Sequence, residues 1–203
     1  MRRQAALAAA AVLALAACTS DAEPTLPSLP PDAAEITVNA PSFTNGIQVY
    51  PRHTCDGVNL SPRVTWSGVP NGAASIAVVL NDPDVPGGSY IHWLVYDLPA
   101  SATGFDEAEG NASRTTSQGG KQGLNSAGDL GYTGPCPPKG ESHVYELSVY
   151  ALDKELGLPP VAPRSDVLQA IEGSIVGYGV FSGRYQRAER EDGNVVFKPT
   201  PTP

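Results

Sequence analysis

The chain has 203 residues and a formal net charge of −8, with 13 Lys and Arg against 21 Asp and Glu. That balance excludes nonspecific nucleic-acid binding, which draws its affinity from basic residues meeting phosphates. Its 21 glycines and 20 prolines follow no period and mostly punctuate apolar runs, which excludes collagen and helical repeats and favours one β-rich domain with long shaped loops.

In chain order, Arg2 and Arg3 precede an apolar run of 13 residues from Ala5 to Ala17. That is too short for a transmembrane helix, which needs about 20, and it suits the apolar region of a secretory signal. Leu15-Ala16-Ala17-Cys18 resembles the lipobox of bacterial lipoproteins. The resemblance implies a signal peptide over residues 1–17, a lipidated Cys18 and an anchor at the extracytoplasmic face of a membrane. Residues 18–34, rich in Pro, Ser, Ala, Thr and Asp, read as a flexible tether.

The domain is expected over residues 35–187. Strand patterns run over Ile36 to Val38, Ile47 to Tyr50, Val64 to Trp66, Ser75 to Leu80, Ile91 to Tyr96, Val144 to Leu152 and Ile175 to Phe181. Ser75 to Leu80 is almost wholly apolar and reads as a central strand covered on both faces. The period of two from His143 puts His143, Tyr145, Leu147 and Val149 on one face. One helix is predicted after Pro163, with Ser165 as N-cap and Gly173 closing it. Residues 151–160 suggest a second short helical turn, and Pro99 to Gly140 carries almost no strand pattern. Residues 188–203 form an extension with an edge strand over Val195 to Phe197. The pattern is all-β with minor helices.

If Cys18 carries lipid, Cys55 and Cys136 remain as one pair. In an exported domain that suggests a disulfide, the alternative being two separate buried thiols. Three histidines remain in the mature chain: His53, His92 and His143. Asp82-Pro83-Asp84-Val85-Pro86-Gly87-Gly88 follows the central strand and fixes a tight loop. It reads either as a turn whose aspartates bond backbone amides or as the mouth of a pocket. Alternation sends His92 and Trp93 to opposite faces of the next strand.

Asp82-Pro83-Asp84, Ile91-His92-Trp93 and Gly134-Pro135-Cys136-Pro137-Pro138 followed by His143 and Tyr145 resemble the phosphatidylethanolamine-binding protein family. Cys55 to Pro62 and Asn125 to Tyr132 match its bacterial and archaeal branch in the same way. The resemblance implies a Greek-key sandwich of two antiparallel sheets with a small pocket at one edge that accepts phosphate or carboxylate groups. Carried over by motif, Asp82, His92, His143 and Tyr145 would line it, and Gly134 and Pro135 would supply loop backbone. Asp84, Pro86, Trp93 and Tyr132 would support it. Where family members commonly have Arg between the last His and Tyr, this chain has Val144, on the opposite strand face from His143.

The resulting expectation is a non-enzymatic binding or regulatory module, without metal or cofactor. Its partners would be a small anion (a phosphate monoester, lipid headgroup or carboxylate), the membrane through Cys18 and an envelope protein, but not nucleic acid. The alternatives are a serine-protease inhibitor or interaction module and, lower, a hydrolase built on Asp82 with His92 or His143. The hydrolase lacks a nucleophile-elbow pattern.

Overall fold

The computed structural model describes residues 25–42, 48–110, 112–191 and 194–196. In chain order its strands are β1 (Ala34–Glu35), β2 (Thr37–Asn39), β3 (Val64–Ser67), β4 (Ser75–Asp82), β5 (Tyr90–Pro99), β6 (Gly104–Phe105), β7 (Lys121–Gln122) and β8 (Ser142–Leu152). After β8 come one helix, α1 (Arg164–Ile171), then β9 (Ile175–Gln186), β10 (Glu189–Glu191) and β11 (Asn194–Val196). Six strands form the main sheet in the order β1-β9-β8-β4-β5-β7, and β2-β3-β6 form the facing one. The expected β-sandwich is therefore present. All pairs in the two layers are antiparallel except β1 with β9.

β4 sits at the centre because both its faces are apolar. All eight of its residues are buried. Val78 and Leu80 join Trp66, Trp93, Tyr145 and Leu147 in the core between the sheets. Ala77 and Val79 pack on the other side with Leu94, Tyr150 and the α1 residues Val167, Leu168 and Ile171. Each such large side chain contributes about 1.5–3 kcal/mol on burial, so the strand is anchored twice. His143, Tyr145, Leu147 and Val149 are all buried on one face, as the period of two requires.

Several local expectations are corrected. Of the run over Ile47 to Tyr50, only a single parallel bridge from Gln48 to Arg184 forms, and Pro51 then opens a 3-10 turn over Pro51–His53; Ile47 lies outside the described residues. Pro163, not Ser165, occupies the N-cap of α1, and no side chain caps it; Gly173, at φ +71°, does close the helix. The stretch 151–160 holds no helical turn, because β8 runs on to Leu152 and a loop follows. The C-terminal strand pairs with β10 as a separate hairpin; Phe197 is outside the described residues.

Cys55 and Cys136 form the expected disulfide, with Cα atoms 5.4 Å apart across 81 positions of sequence. This bridge uses both described cysteines, so neither thiol is free to hold an acyl chain. The expectation of a lipid-anchored protein with the membrane as partner is corrected accordingly. Cys18, on which it was placed, lies outside the described residues. Among the described residues no helix is long and apolar enough to cross a membrane.

Near the bridge, His53 is wholly buried. Its Nδ1 donates to the Leu60 carbonyl at 2.8 Å, and its Nε2 is buried without a partner. Burial pushes its pKa below the ordinary histidine value, against upward pulls from the Leu60 carbonyl and Glu107 and with a further lowering by Arg52. The folded state therefore resists a proton that the unfolded chain accepts below about pH 6.5. Stability should be full above that pH and fall as pH drops. Denaturant melts from pH 7.5 to 5.5 should show this loss, and His53→Asn, which keeps a donor for Leu60, should flatten it. A His53→Asn profile as steep as the wild type's would refute the assignment.

The disulfide supports a second expectation. In the chain-entropy picture a closed loop of this size is worth roughly 2–4.5 kcal/mol. Replacing both cysteines with serine should lower unfolding free energy in that range. An unchanged denaturation midpoint would show that the bridge does not restrain the chain.

Candidate functional site

The C-terminal end of β4, the start of β5 and the start of β8 meet at one end of the main sheet, and the segment from Thr133 to Glu141 closes over them. Between them lies a cavity of about 540 Å³, within the range of about 300–1,000 Å³ that takes small molecules. Asp82, His92, His143 and Tyr145 line it together with Asp84, Pro86 and Gly134.

His92 reaches this cavity through a β-bulge. Leu80 pairs with Trp93 and the next residue, Asn81, pairs with Ile91, so His92 is an extra residue on β5. A bulge re-aims the side chain of its extra residue. His92 consequently shares the sandwich side with Trp93 instead of opposing it, which corrects the expectation from alternation. Its ring lies 4.8 Å from Tyr90 and 5.3 Å from Tyr145, centroid to centroid. Trp93 goes deeper, donates to Gln122 Oε1 at 2.6 Å and packs on Phe105 and Tyr132.

Both imidazoles are fixed from behind. His143 Nδ1 donates to Asp82 Oδ2 at 2.7 Å. His92 Nδ1 donates to the Thr133 carbonyl at 2.7 Å. A carboxylate and a carbonyl only accept, so each ring carries its proton on Nδ1 and keeps Nε2 as its remaining site. Burial lowers the pKa of His92; the Thr133 carbonyl and the Asp82 charge raise it, and His143 lowers it further. His92 is therefore neutral near pH 7.

Asp82 and Asp84 hold the loop in place. Asp82 Oδ1 accepts the Asp84 N–H at 2.9 Å, and Asp84 Oδ2 accepts the Val144 N–H at 2.7 Å. The Val144 position thus contributes its backbone to the site, while its side chain lies on the other face. The Tyr145 hydroxyl is buried and makes no well-formed hydrogen bond, although Asp82 and the Cys136 backbone N–H are near it. Burial, followed by the Asp82 charge, raises its pKa far above the ordinary tyrosine value. It stays a neutral phenol.

The loop residues divide. Gly134 lines the cavity, but its N–H is committed to Asn59 Oδ1 at 2.8 Å. A Cβ there would sit 2.3 Å from the His53 carbonyl oxygen, so only glycine fits. Pro135 lies outside the lining and gives its carbonyl to the Cys55 N–H. Tyr132 is a strut whose hydroxyl donates to the His53 carbonyl. Among the lining residues that sequence reasoning did not assign to the cavity are the polar or aromatic Tyr90, Thr133 and Glu141, with Cys136 beside Val85, Pro137 and Pro138. Tyr90 was within reach, since it pairs with Asp82 at the strand mouth; Glu141 carried no signal. Glu141 Oε2 lies 3.9 Å from His143 Nε2.

The lining therefore holds three carboxylates, Asp82, Asp84 and Glu141, and neither lysine nor arginine. Among the described residues no cluster of three or more His, Cys, Asp and Glu could hold a metal ion.

Residues 39–186 match the family model described as phosphatidylethanolamine-binding protein. The chain is 42% identical over 146 residues to a UPF0098 protein of Methanothermobacter thermautotrophicus, covering 72% of this chain and 95% of that one. It is 38% identical over 158 residues to LppC of Mycobacterium tuberculosis, a candidate lipoprotein by its name, covering 77% of this chain and 75% of that one. The crystal structure of E. coli YbcL, described as a new member of the mammalian PEBP family, superposes with a TM-score of 0.70 at 33% identity. That match covers 75% of this chain and 99% of YbcL. On the family model, the relatives and the shared sandwich together, this chain belongs to the phosphatidylethanolamine-binding protein family.

Proposed function

We propose that the cavity binds a small anion, a phosphate or carboxylate group, and that the protein acts as a binding module without catalysis. The observation that carries this reading is the pair of imidazoles, each held by Nδ1 and each keeping Nε2, at one cavity. The Thr133 hydroxyl accepts from Asn125 Nδ2 and keeps its own proton to donate. Cys136 also lines the cavity, with its backbone N–H directed at the Tyr145 hydroxyl. The Tyr145 phenol adds a fourth candidate donor. The hydrolase alternative loses ground because the buried phenol is held protonated and neither Ser89 nor Ser142 lines the cavity.

With three carboxylates around it and no fixed cation, the site attracts an anion only when an imidazole is charged. Burial disfavours the charged form of His92, and a bound anion restores it. Anion binding is thus linked to proton uptake. The sign follows: below the bound-state pKa and above the free-state one, affinity rises as pH falls, by up to about tenfold per unit for one proton. Sulfate keeps its charge across this range and is the cleaner probe. Its affinity, measured by calorimetry, should rise at least about tenfold from pH 8 to pH 5. A flat profile would overturn the linkage.

His143→Asn keeps a donor towards Asp82 but removes Nε2. It should weaken sulfate binding at pH 5.5 by roughly 10- to 150-fold, the worth of one charge-assisted bond, with little change in melting temperature. Val144→Ala should leave affinity unaltered. Unchanged affinity in His143→Asn would remove this residue from the site.

A further inference from the structure

A second cavity of about 240 Å³ adjoins the first and shares Val85, Pro86 and Tyr90 with it. Its other lining residues are Gly87, Gly88, Ser89 and Ser126. No charged side chain lines it, in contrast to the three carboxylates and two imidazoles of the first. The loop turns through Gly87 and Gly88 at φ +89° and +145°, and a Cβ at either would touch nothing, so the glycines serve backbone shape and leave the groove open. Ser126 Oγ accepts the Ile91 N–H at 2.9 Å and leaves its own proton unused. The Ser89 hydroxyl is buried without a partner. The Gly87 N–H makes no hydrogen bond within the described residues. A neutral wall with spare hydroxyl and amide groups suits a hydroxyl-bearing ligand, not an acyl chain or a second charge.

A lone phosphate or carboxylate would also leave most of the 540 Å³ cavity empty. Tyr90 forms part of both walls and continues through His92 to Tyr145 as a row of ring contacts. Burial, with the Asp129 charge, raises the Tyr90 pKa against the opposing Arg164, so its hydroxyl stays neutral as well.

We propose that the two cavities form one bipartite site whose ligand is a phosphate monoester of a small polyol, with the anion at His92 and His143 and the polyol across Tyr90 at Gly87–Gly88, Ser89 and Ser126. This rests on the anion-binding reading above and adds the chemical class of what the anion is attached to. Ser126 is the specificity residue, since its free proton is the donor best placed to tell a polyol from water.

Calorimetric titration of the protein at pH 5.5 with inorganic phosphate and with glycerol 3-phosphate tests this. The ester should bind at least about 5-fold more tightly than phosphate. Ser126→Ala should reduce that preference by about 3- to 10-fold, one neutral hydrogen bond, and leave phosphate affinity unchanged. Because Ser126 also accepts a backbone bond, amide shifts in the wild-type protein provide a second readout. Gly87, Gly88 and Ser126 amides should move with the ester and stay still with phosphate. Equal affinities with no shift at these amides would overturn the bipartite site while leaving the anion reading standing. Binding of neither probe would overturn both.

Discussion

The site hangs on one carboxylate, Asp82, at the end of the central strand. Its two oxygens do different things: Oδ2 fixes the His143 ring and Oδ1 takes the Asp84 N–H. Asp84 then reaches across to the Val144 N–H, so the turn after β4 is tied to the first residues of β8 both through a side chain and through backbone. A carboxylate buried this way is costly unless its lone pairs are matched, and here both oxygens have donors. The match is possible because β4 is packed on both faces and cannot shift to suit solvent. Rigidity of the core is thereby passed to the position of one imidazole.

The second imidazole depends on a different constraint. His92 is held by the Thr133 carbonyl, while the Thr133 N–H returns to the His92 carbonyl. The loop and the bulged residue therefore fix each other. That loop is pinned further along by Gly134 to Asn59, by Pro135 to Cys55 and by the disulfide at Cys136. A long stretch with little regular structure is thus held rigid where it forms the cavity wall. Loops placed in this way by a fixed scaffold are where binding residues tend to reside.

These two routes explain what could be read from residues alone. The period of two from His143 and the unbroken apolar run from Ser75 are local signals, and both survive in the structure because burial enforces them. Clustering of Asp82, His92, His143 and Tyr145 was implied by the family resemblance and not by local pattern, and the leftover cysteine pair led to the bridge. His92 was placed on the wrong face because a bulge is a property of two strands in register, and no pattern in one strand encodes it. Gly134 was expected to supply loop backbone, and its N–H is committed to Asn59, a partner 75 positions away. Pairings of that range have no local trace. The acidic lining also escaped notice: Glu141 comes from a surface turn with nothing in its neighbourhood to mark it.

That acidic lining sets the character of the site more than the histidines do. An anion site built on lysine or arginine carries its charge at every physiological pH. Here the only groups able to become cationic are imidazoles, and Asp82, Asp84 and Glu141 stand around them. On the proposed reading, an anion bound here would be stabilised mostly by neutral donors and by a proton that arrives with it. A neutral donor to an ionised anion gives a charge-assisted bond but not a full ion pair, so on that reading affinity would be lower near neutrality than at acid pH. If the two cavities form one site, discrimination between ligands of equal charge would fall to shape and hydroxyl contacts in the neutral groove beyond Tyr90, which no charged side chain lines.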